Sequence, residues 1–333
     1  MFAEAIESIL SEQCTPAHVR AIERGTTPQA LATAIADAGF LELMAPEDAG
    51  GGGASWRGLF DVVVLCGAYA VPLPLAQTIA ARTLVAQPDQ LPPGFITFAP
   101  SLARSSNGSL YAAHVPFARV SSHVIADGGT HLLVFPTADA ERVPSGIHGD
   151  PMESLRWRVG SGEQLASPVA SQQFAALGAL LHAALLAGAM KRAFDLTMRY
   201  ANERVQFGKS IGKFQAIQHQ MSVMAEHVAA SRIAAEAAFA SGSPMPNPVA
   251  CAVAKARTSE AAQLVASIAH GVHGAIGVTE EYDLQLYTRR LHAWRIAHGS
   301  ESYWNRQLGR MFVDSAEATT VDFVRSLLEA PTA

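Results

Sequence analysis

The sequence is short of charge. Only 16% of its 333 residues are Asp, Glu, Lys or Arg, against about a quarter in ordinary soluble domains, so extensive surface must be buried between lobes or between subunits. The 24 basic and 29 acidic residues leave a net charge of −5 with no basic block, which argues against nucleic acid as a partner. Cysteine is scarce as well. Cys14, Cys66 and Cys251 lie far apart without a CxxC spacing, which fits a reducing, cytoplasmic setting and neither a disulfide framework nor a zinc site. No glutamate has a histidine three residues later, which removes the Glu-x-x-His di-iron site of helical bundles. A GxSxG nucleophile elbow is missing too.

Long hydrophobic runs are few. The opening MFAEAIESIL carries acids and no basic segment, unlike a signal peptide. Residues 62–81 carry no charge, but Pro72 and Pro74 would break a spanning helix at mid-depth. Phe174 to Met190 is apolar apart from His182, yet short and rich in Ala and Gly, and reads as a packed helix buried on all sides. No membrane span is expected.

The remaining pattern divides the chain into three domains. Residues 1–91 read as a helical N-terminal domain. Thr27 is placed to cap a helix with Pro28 at its first position, and Leu31, Ala34, Ile35 and Ala38 follow at helical spacing until Gly39 stops it. The glycines of APEDAGGGGAS favour a flexible connection over a phosphate cradle. Residues 92–168 read as a small antiparallel β domain. Hairpin signals at Asn107-Gly108 and Asp127-Gly128-Gly129 flank SLYAAHVPF, SSHVIA and THLLVFP, and Leu155, Trp157 and Val159 alternate with polar neighbours. Residues 169–333 return to helices and read as a C-terminal four-helix bundle. Ile217, Met221, Met224 and Val228 form one buried stripe there.

The stretch ANERVQFGKSIGKFQ (201–215) contains GKS, the tail of a phosphate-binding P-loop. That motif needs a glycine five residues before Gly208, where this chain has Glu203, and a strand before it, where this chain has a helical run. GVHGAIG (271–277) likewise lacks the spacing of a dinucleotide fingerprint and follows no strand.

YANERVQFGKSIGKFQAIQHQMSVMAE, HGVHGAIGVTEEYDLQLYTRR and IADAGFLELMAPEDAGG together resemble segments of the acyl-CoA dehydrogenase family of FAD-dependent flavoenzymes. The layout of helical, β and helical domains resembles it too. The resemblance spans nearly the whole chain and is faintest in the β domain. It implies that Arg204 meets the FAD pyrophosphate, a role that suits a guanidinium fork. It also implies that Gln206, Phe207, Phe214 and Gln215 lie against the cofactor, and that Gly274 and Gly277 allow close approach of a backbone to FAD. Ser300 and Ser302 would contact its adenosine end. The implied reaction is α,β-desaturation of an acyl-CoA thioester, with an electron-transfer flavoprotein or similar acceptor. A homo- or hetero-oligomer is expected, either a dimer or an α2β2 tetramer.

The departures from the family concern the base. Family members remove the α-proton with a carboxylate, usually a glutamate before a Gly-Thr pair; here the matching residues are Ala297-His298-Gly299-Ser300. Other members carry the base on the helix before the arginine signature, but no acid occurs here between Glu163 and Asp195, and Gly178 sits near that position. Gly271 replaces the glutamine of the glycine-rich segment. Three readings follow. His298 is the base, a role open to neutral imidazole; Glu301 swings in; or a partner chain supplies the carboxylate, as in the short, degenerate subunits of bacterial steroid-degrading members. A flavin-free scaffold is the contrasting class, and the retained Arg204, Gln206, Phe207 and Gln215 speak against it.

Overall fold

The structure is a computed structural model that describes residues 2–144, 151–240, 243–317 and 319–328. Five helices open the chain: α1 (Phe2–Gln13), α2 (Pro16–Glu23), α3 (Gln29–Asp37), α4 (Trp56–Ala68) and α5 (Leu75–Ala81). Thr15 caps α2, its hydroxyl accepting the His18 amide, and Ser55 does the same for α4 with Gly58. The expected Thr27 cap does not form. Helix α3 starts one residue later than expected, with Pro28 as its N-cap and no side-chain bond, which leaves Thr27 outside the capping position. Gly39 does end the helix, at φ 77°.

The glycine loop is not a loose tether. The amides of Gly52, Gly53 and Ala54 donate to the carbonyls of Glu42, Ala45 and Leu43. A Cβ on Gly51 would fall 2.1 Å from the Ala45 carbonyl oxygen, so the glycine serves a close backbone approach. With those amides engaged, the loop offers no phosphate cradle.

The β domain consists of β1 (Ile96–Phe98), β2 (Ala103–Arg104), β3 (Leu110–Val115), β4 (His123–Asp127), β5 (Leu132–Pro136), β6 (Glu141–Pro144), β7 (Glu153–Trp157) and β8 (Glu163–Gln164). Two four-stranded sheets, ordered β1-β4-β5-β8 and β2-β3-β7-β6, share a core in which Phe135 and Trp157 lie 4.5 Å apart between ring centroids. Pairing is antiparallel throughout except between β1 and β4. Leu155 and Trp157 are buried as the alternation requires, but Val159 lies beyond the strand and is exposed.

The bundle is built on α6 (Ser171–Glu203), followed by the short ribbon β9 (Val205–Gln206) and β10 (Lys209–Ser210). Helices α7 (Gln215–Phe239), α8 (Pro248–His273), α9 (Leu284–Ile296), α10 (Glu301–Val313) and α11 (Thr320–Leu328) complete the chain. Of the expected stripe, Met221, Met224 and Val228 are buried and Ile217, at the start of the helix, is half-buried. The hydrophobic stretches of α6 and α8 are long and apolar enough to cross a membrane, but that of α6 is 89% buried inside the protein.

Helix α6 crosses α4 at two glycines: a Cβ on Gly188 would lie 1.9 Å from the Val64 carbonyl oxygen, and one on Gly67 2.1 Å from that of Leu185. The N-terminal helices are tied to α9 by charge. Buried Glu23 takes both Arg289 and Arg290 at 2.8 Å, and Arg20 meets Asp283 at 2.7 Å. These contacts fix the orientation of α9, and with it the turn that follows.

Candidate functional site

Helix α6 ends at Arg204, its C-cap, where the backbone extends (φ −69°, ψ 119°). The chain reverses through Phe207 and Gly208, both at positive φ (51° and 81°), as a two-residue hairpin between twisted strands demands. The Ile211 amide closes the ribbon onto the Arg204 carbonyl at 2.8 Å. GKS thus forms one side of a β-ribbon and not a phosphate loop. Arg204, Gln206 and Gln215 are exposed, and Phe207 is 90% exposed. The Phe207 ring meets Phe214 edge-on at 6.2 Å, while Lys209 Nζ sits 4.3 Å over the Phe214 ring. A strained turn that holds an aromatic ring in solvent, three residues after the exposed Arg204, is suited to an anionic, ring-bearing ligand.

The glycine-rich segment follows a helix end packed on the last turns of α6. Tyr200, one turn before Arg204, stacks on His273 at 4.4 Å and 21°, and His273 precedes Gly274. Gly274 has φ 65° with no described atom within 4 Å of its missing Cβ, so its surroundings are open to an incoming group. Gly277 differs. A Cβ there would strike His273 Cβ at 2.9 Å, which gives this glycine a packing reason within the chain.

The base position is built separately. After α9, His298 adopts φ 53° and Gly299 φ 94°. The His298 ring is buried, 7% exposed, in the notch left by Gly178; a Cβ at Gly178 would lie 2.2 Å from His298 Nδ1. Its centroid is 4.8 Å from that of His182, and Trp304 Nε1 donates to the His298 carbonyl at 2.9 Å. Beneath the turn, fully buried Lys255 donates at 2.8 Å to Ser259 Oγ, the Arg295 carbonyl and the Gly299 carbonyl.

The electrostatics oppose protonation here. Burial drives His298 well below its ordinary 6.5, and His182 and Lys255 add to the shift, against a backbone hydrogen bond with Phe98 that opposes it. Burial takes His182 down to about 3 and Lys255 down to about 7, the latter with Glu301 opposing and Arg295 assisting. His182 Nδ1 faces the Gly178 carbonyl at 2.9 Å, so in the neutral ring that nitrogen donates. Nε2 of His182 and of His298 both lack a partner among the described residues.

Glu301 is committed elsewhere. Both its oxygens meet Arg295, one at Nε (3.0 Å) and one at Nη2. Burial raises its pKa, but the Arg295 bonds outweigh that and hold it below its ordinary value. Swinging Glu301 towards a substrate would break that bidentate pair. Ser300 caps α10, accepting the Tyr303 amide, and Ser302 is exposed.

The sequence reasoning missed Lys255 and the pairing of His182 with His298. His182 (in ALLHAALLA) and Lys255 (in CAVAKA) each interrupt a run of apolar residues, and that was the available signal.

Acid should destabilise this region. An unfolded chain protonates His182 near pH 6.5, whereas the folded one resists until about 3. Stability is therefore fully present above 6.5 and falls as pH drops through this window, by about 1.4 kcal/mol per unit for one such group. Urea midpoints from pH 7 to pH 5 should fall in wild type and fall less in His182→Leu; equal slopes would refute this assignment.

The ribbon and the base position lie at opposite ends of α6. Gly178 and Glu203 are 25 residues apart in one helix, about 37 Å at 1.5 Å per residue.

Comparison with known proteins accords with this architecture. Residues 168–312 match the acyl-CoA dehydrogenase C-terminal domain and residues 1–88 its N-terminal domain. The acyl-CoA dehydrogenase IpdE2 of Mycobacterium tuberculosis is 31% identical over 306 residues, 88% of this chain and 90% of that protein. Among solved structures, the ChsE4–ChsE5 complex from M. tuberculosis superposes with TM-score 0.81 at 20% identity, over 95% of this chain and 97% of that one. The Tcur3481–Tcur3483 steroid ACAD gives 0.81 at 24% identity, over 94% and 96%. With both terminal domains matched and a relative aligned along nearly its full length, the chain belongs to the acyl-CoA dehydrogenase family.

Proposed function

We propose that the chain is one subunit of a hetero-oligomeric, FAD-dependent acyl-CoA dehydrogenase, in which it clamps a flavin while a partner chain contributes the base. The observation that carries a site shared between chains is the separation along α6; that the second chain differs from this one rests on His298 and Glu301 being unsuited as bases. The pyrophosphate and the isoalloxazine ring of one FAD are joined by a single ribityl chain, far shorter than about 37 Å. A flavin held at Arg204 therefore cannot also present its ring at His298 of the same chain. The exposed Phe207, the open face of Gly274 and a surface short of charge all suit a ribbon that closes over a cofactor at a subunit boundary.

When bound, the flavin would supply hydride acceptance from the β-carbon of an acyl thioester. Arg204 would bind the pyrophosphate with two parallel N–H donors, and Phe207 and Phe214 would exclude water from the cofactor. His298 supports the partner assignment by being a poor base. It is buried behind Gly178, and protonating it would place a cation in a site that disfavours charge. Glu301 is held by Arg295. Two of the structurally similar assemblies contain two different chains, ChsE4–ChsE5 and Tcur3481–Tcur3483, and the second is a steroid ACAD, which favours a bulky polycyclic acyl group over a short linear one.

Arg204→Ala tests the clamp. Its side chain is exposed, so circular dichroism and thermal midpoint should be unchanged while flavin absorbance per assembly drops at least tenfold, the value of a lost charge-assisted pair. Full flavin retention would defeat the assignment. Light scattering at micromolar concentration should report more than the 35.1 kDa monomer.

A further inference from the structure

We propose that Lys255 is the positioning residue of the base position: from the middle of α8 it pins both ends of the turn that carries His298 and so holds the imidazole in the Gly178 notch. The inference deepens the function proposed above and rests on it only in taking His298 to stand at the base position.

An ammonium has three N–H donors, and here each has one acceptor, at 2.8 Å in every case. Two of these acceptors bracket the turn. The Arg295 carbonyl belongs to the last turn of α9, where helical carbonyls have no intrahelical partner, and it also receives the Ser259 hydroxyl at 3.1 Å. The Gly299 carbonyl lies just past His298. A cation is favoured at this end of α9, so Lys255 acts as a C-terminal cap delivered from a neighbouring helix.

The two residues between the pinned carbonyls that depart from ordinary backbone are His298 (φ 53°) and Gly299 (φ 94°). A non-glycine residue keeps such a conformation only when its surroundings over-determine it. For His298 those surroundings are Lys255 below, Gly178 and His182 on one side, a hydrogen bond between the imidazole and the backbone of Phe98 in β1, and the Trp304 bond to its carbonyl. The charged and titratable groups facing Lys255 are Arg295 from α9, Glu301 from α10, His182 from α6 and His298 from the turn. Only Glu301 favours its proton; burial keeps both imidazoles neutral, and the cation adds to it.

Carbon-13-labelled histidine, assigned with His298→Gln, reads the outcome through imidazole titration, and hydrogen exchange reads residues 297–299. In wild type, His298 should show no titration between pH 5 and pH 8. In Lys255→Met the freed turn should let water reach the ring and bring its titration into that window, and exchange at 297–299 should quicken at least tenfold, while His182 stays silent. Generalised loosening would move His182 as well and would overturn the proposal, as would a folded variant in which His298 remains silent and the turn protected. If Lys255→Met does not fold, Lys255→Gln and wild type decide. Above pH 7 the neutral amine has two N–H for three acceptors, so protection of the turn, corrected for intrinsic exchange, should decline by pH 9; constant protection would overturn the proposal. Flavin absorbance of the partner complex is read separately. Its absence with the turn results intact would sink the functional reading and leave the role of Lys255 standing.

Discussion

Purified alone, the chain should turn over acyl-CoA two to four orders of magnitude more slowly than it does with its partner, the span that a positioned general base contributes. The expectation follows from what occupies the base position. His298 would have to take a proton in a site where burial, His182 and Lys255 all oppose its charge, and its ring is buried in the notch at Gly178. Glu301 would have to abandon two bonds to Arg295. Neither group is poised to abstract an α-proton. Co-expression with the products of neighbouring genes, followed by flavin spectra, mass and turnover of the complex, measures the difference directly. The partner's catalytic carboxylate, changed to the amide, should return the complex to the rate of the lone chain. Full activity of the lone chain, abolished in His298→Ala with flavin still bound, would reject the partner and make His298 the base.

Gly188→Ala should cost about 3 kcal/mol or more, and Gly67→Ala a similar amount, at the upper end of what overpacking a core costs. The added methyl would stand 1.9 Å from the Val64 carbonyl oxygen in the first case and 2.1 Å from that of Leu185 in the second. Both obstacles are backbone atoms of a facing helix, so relief requires α4 and α6 to move apart. That movement would open the all-buried seam formed by Val63, Ala184 and Ala187. Gly309 provides a control of opposite sign. It lies within α10, and an added methyl there would meet no described atom within 4 Å, so Gly309→Ala should stabilise by up to about 1 kcal/mol through helix propensity alone. Chemical denaturation of the three variants would check the ranking; a tolerated Gly188→Ala would mean that the helices do not cross where the structure puts them.

Much of this was legible in the sequence because it is local. Helical spacing produced the stripe Met221, Met224 and Val228. The turn pairs Asn107-Gly108 and Asp127-Gly128-Gly129 marked the hairpins, since those residues tolerate positive φ wherever they occur. The stretch RVQFGKS was assigned a role only by its resemblance to a family signature; that it forms a two-residue hairpin through Phe207 and Gly208 came from the structure. The replacement of the expected glutamate by His298 needed only alignment with a familiar pattern.

What the sequence left undetermined depends on residues distant in the chain. Helix α9 was not singled out within the expected bundle, although Leu284, Tyr287, Leu291 and Trp294 recur at helical spacing and are buried; what no local pattern could show is that Glu23, far off in the chain, pairs with Arg289 and Arg290. The glycines at 51 and 52 were misread as a tether, since the backbone they approach is fixed only by folding. The state of His298 was settled by tertiary structure alone. A histidine is a credible base or a buried neutral plug according to its solvation and its neighbours, and Gly178, His182 and Lys255 come from two other helices. Spacing along a chain fixes which groups a helix or turn presents; only packing fixes what dielectric and what charges they meet, and those set whether a proton can be held.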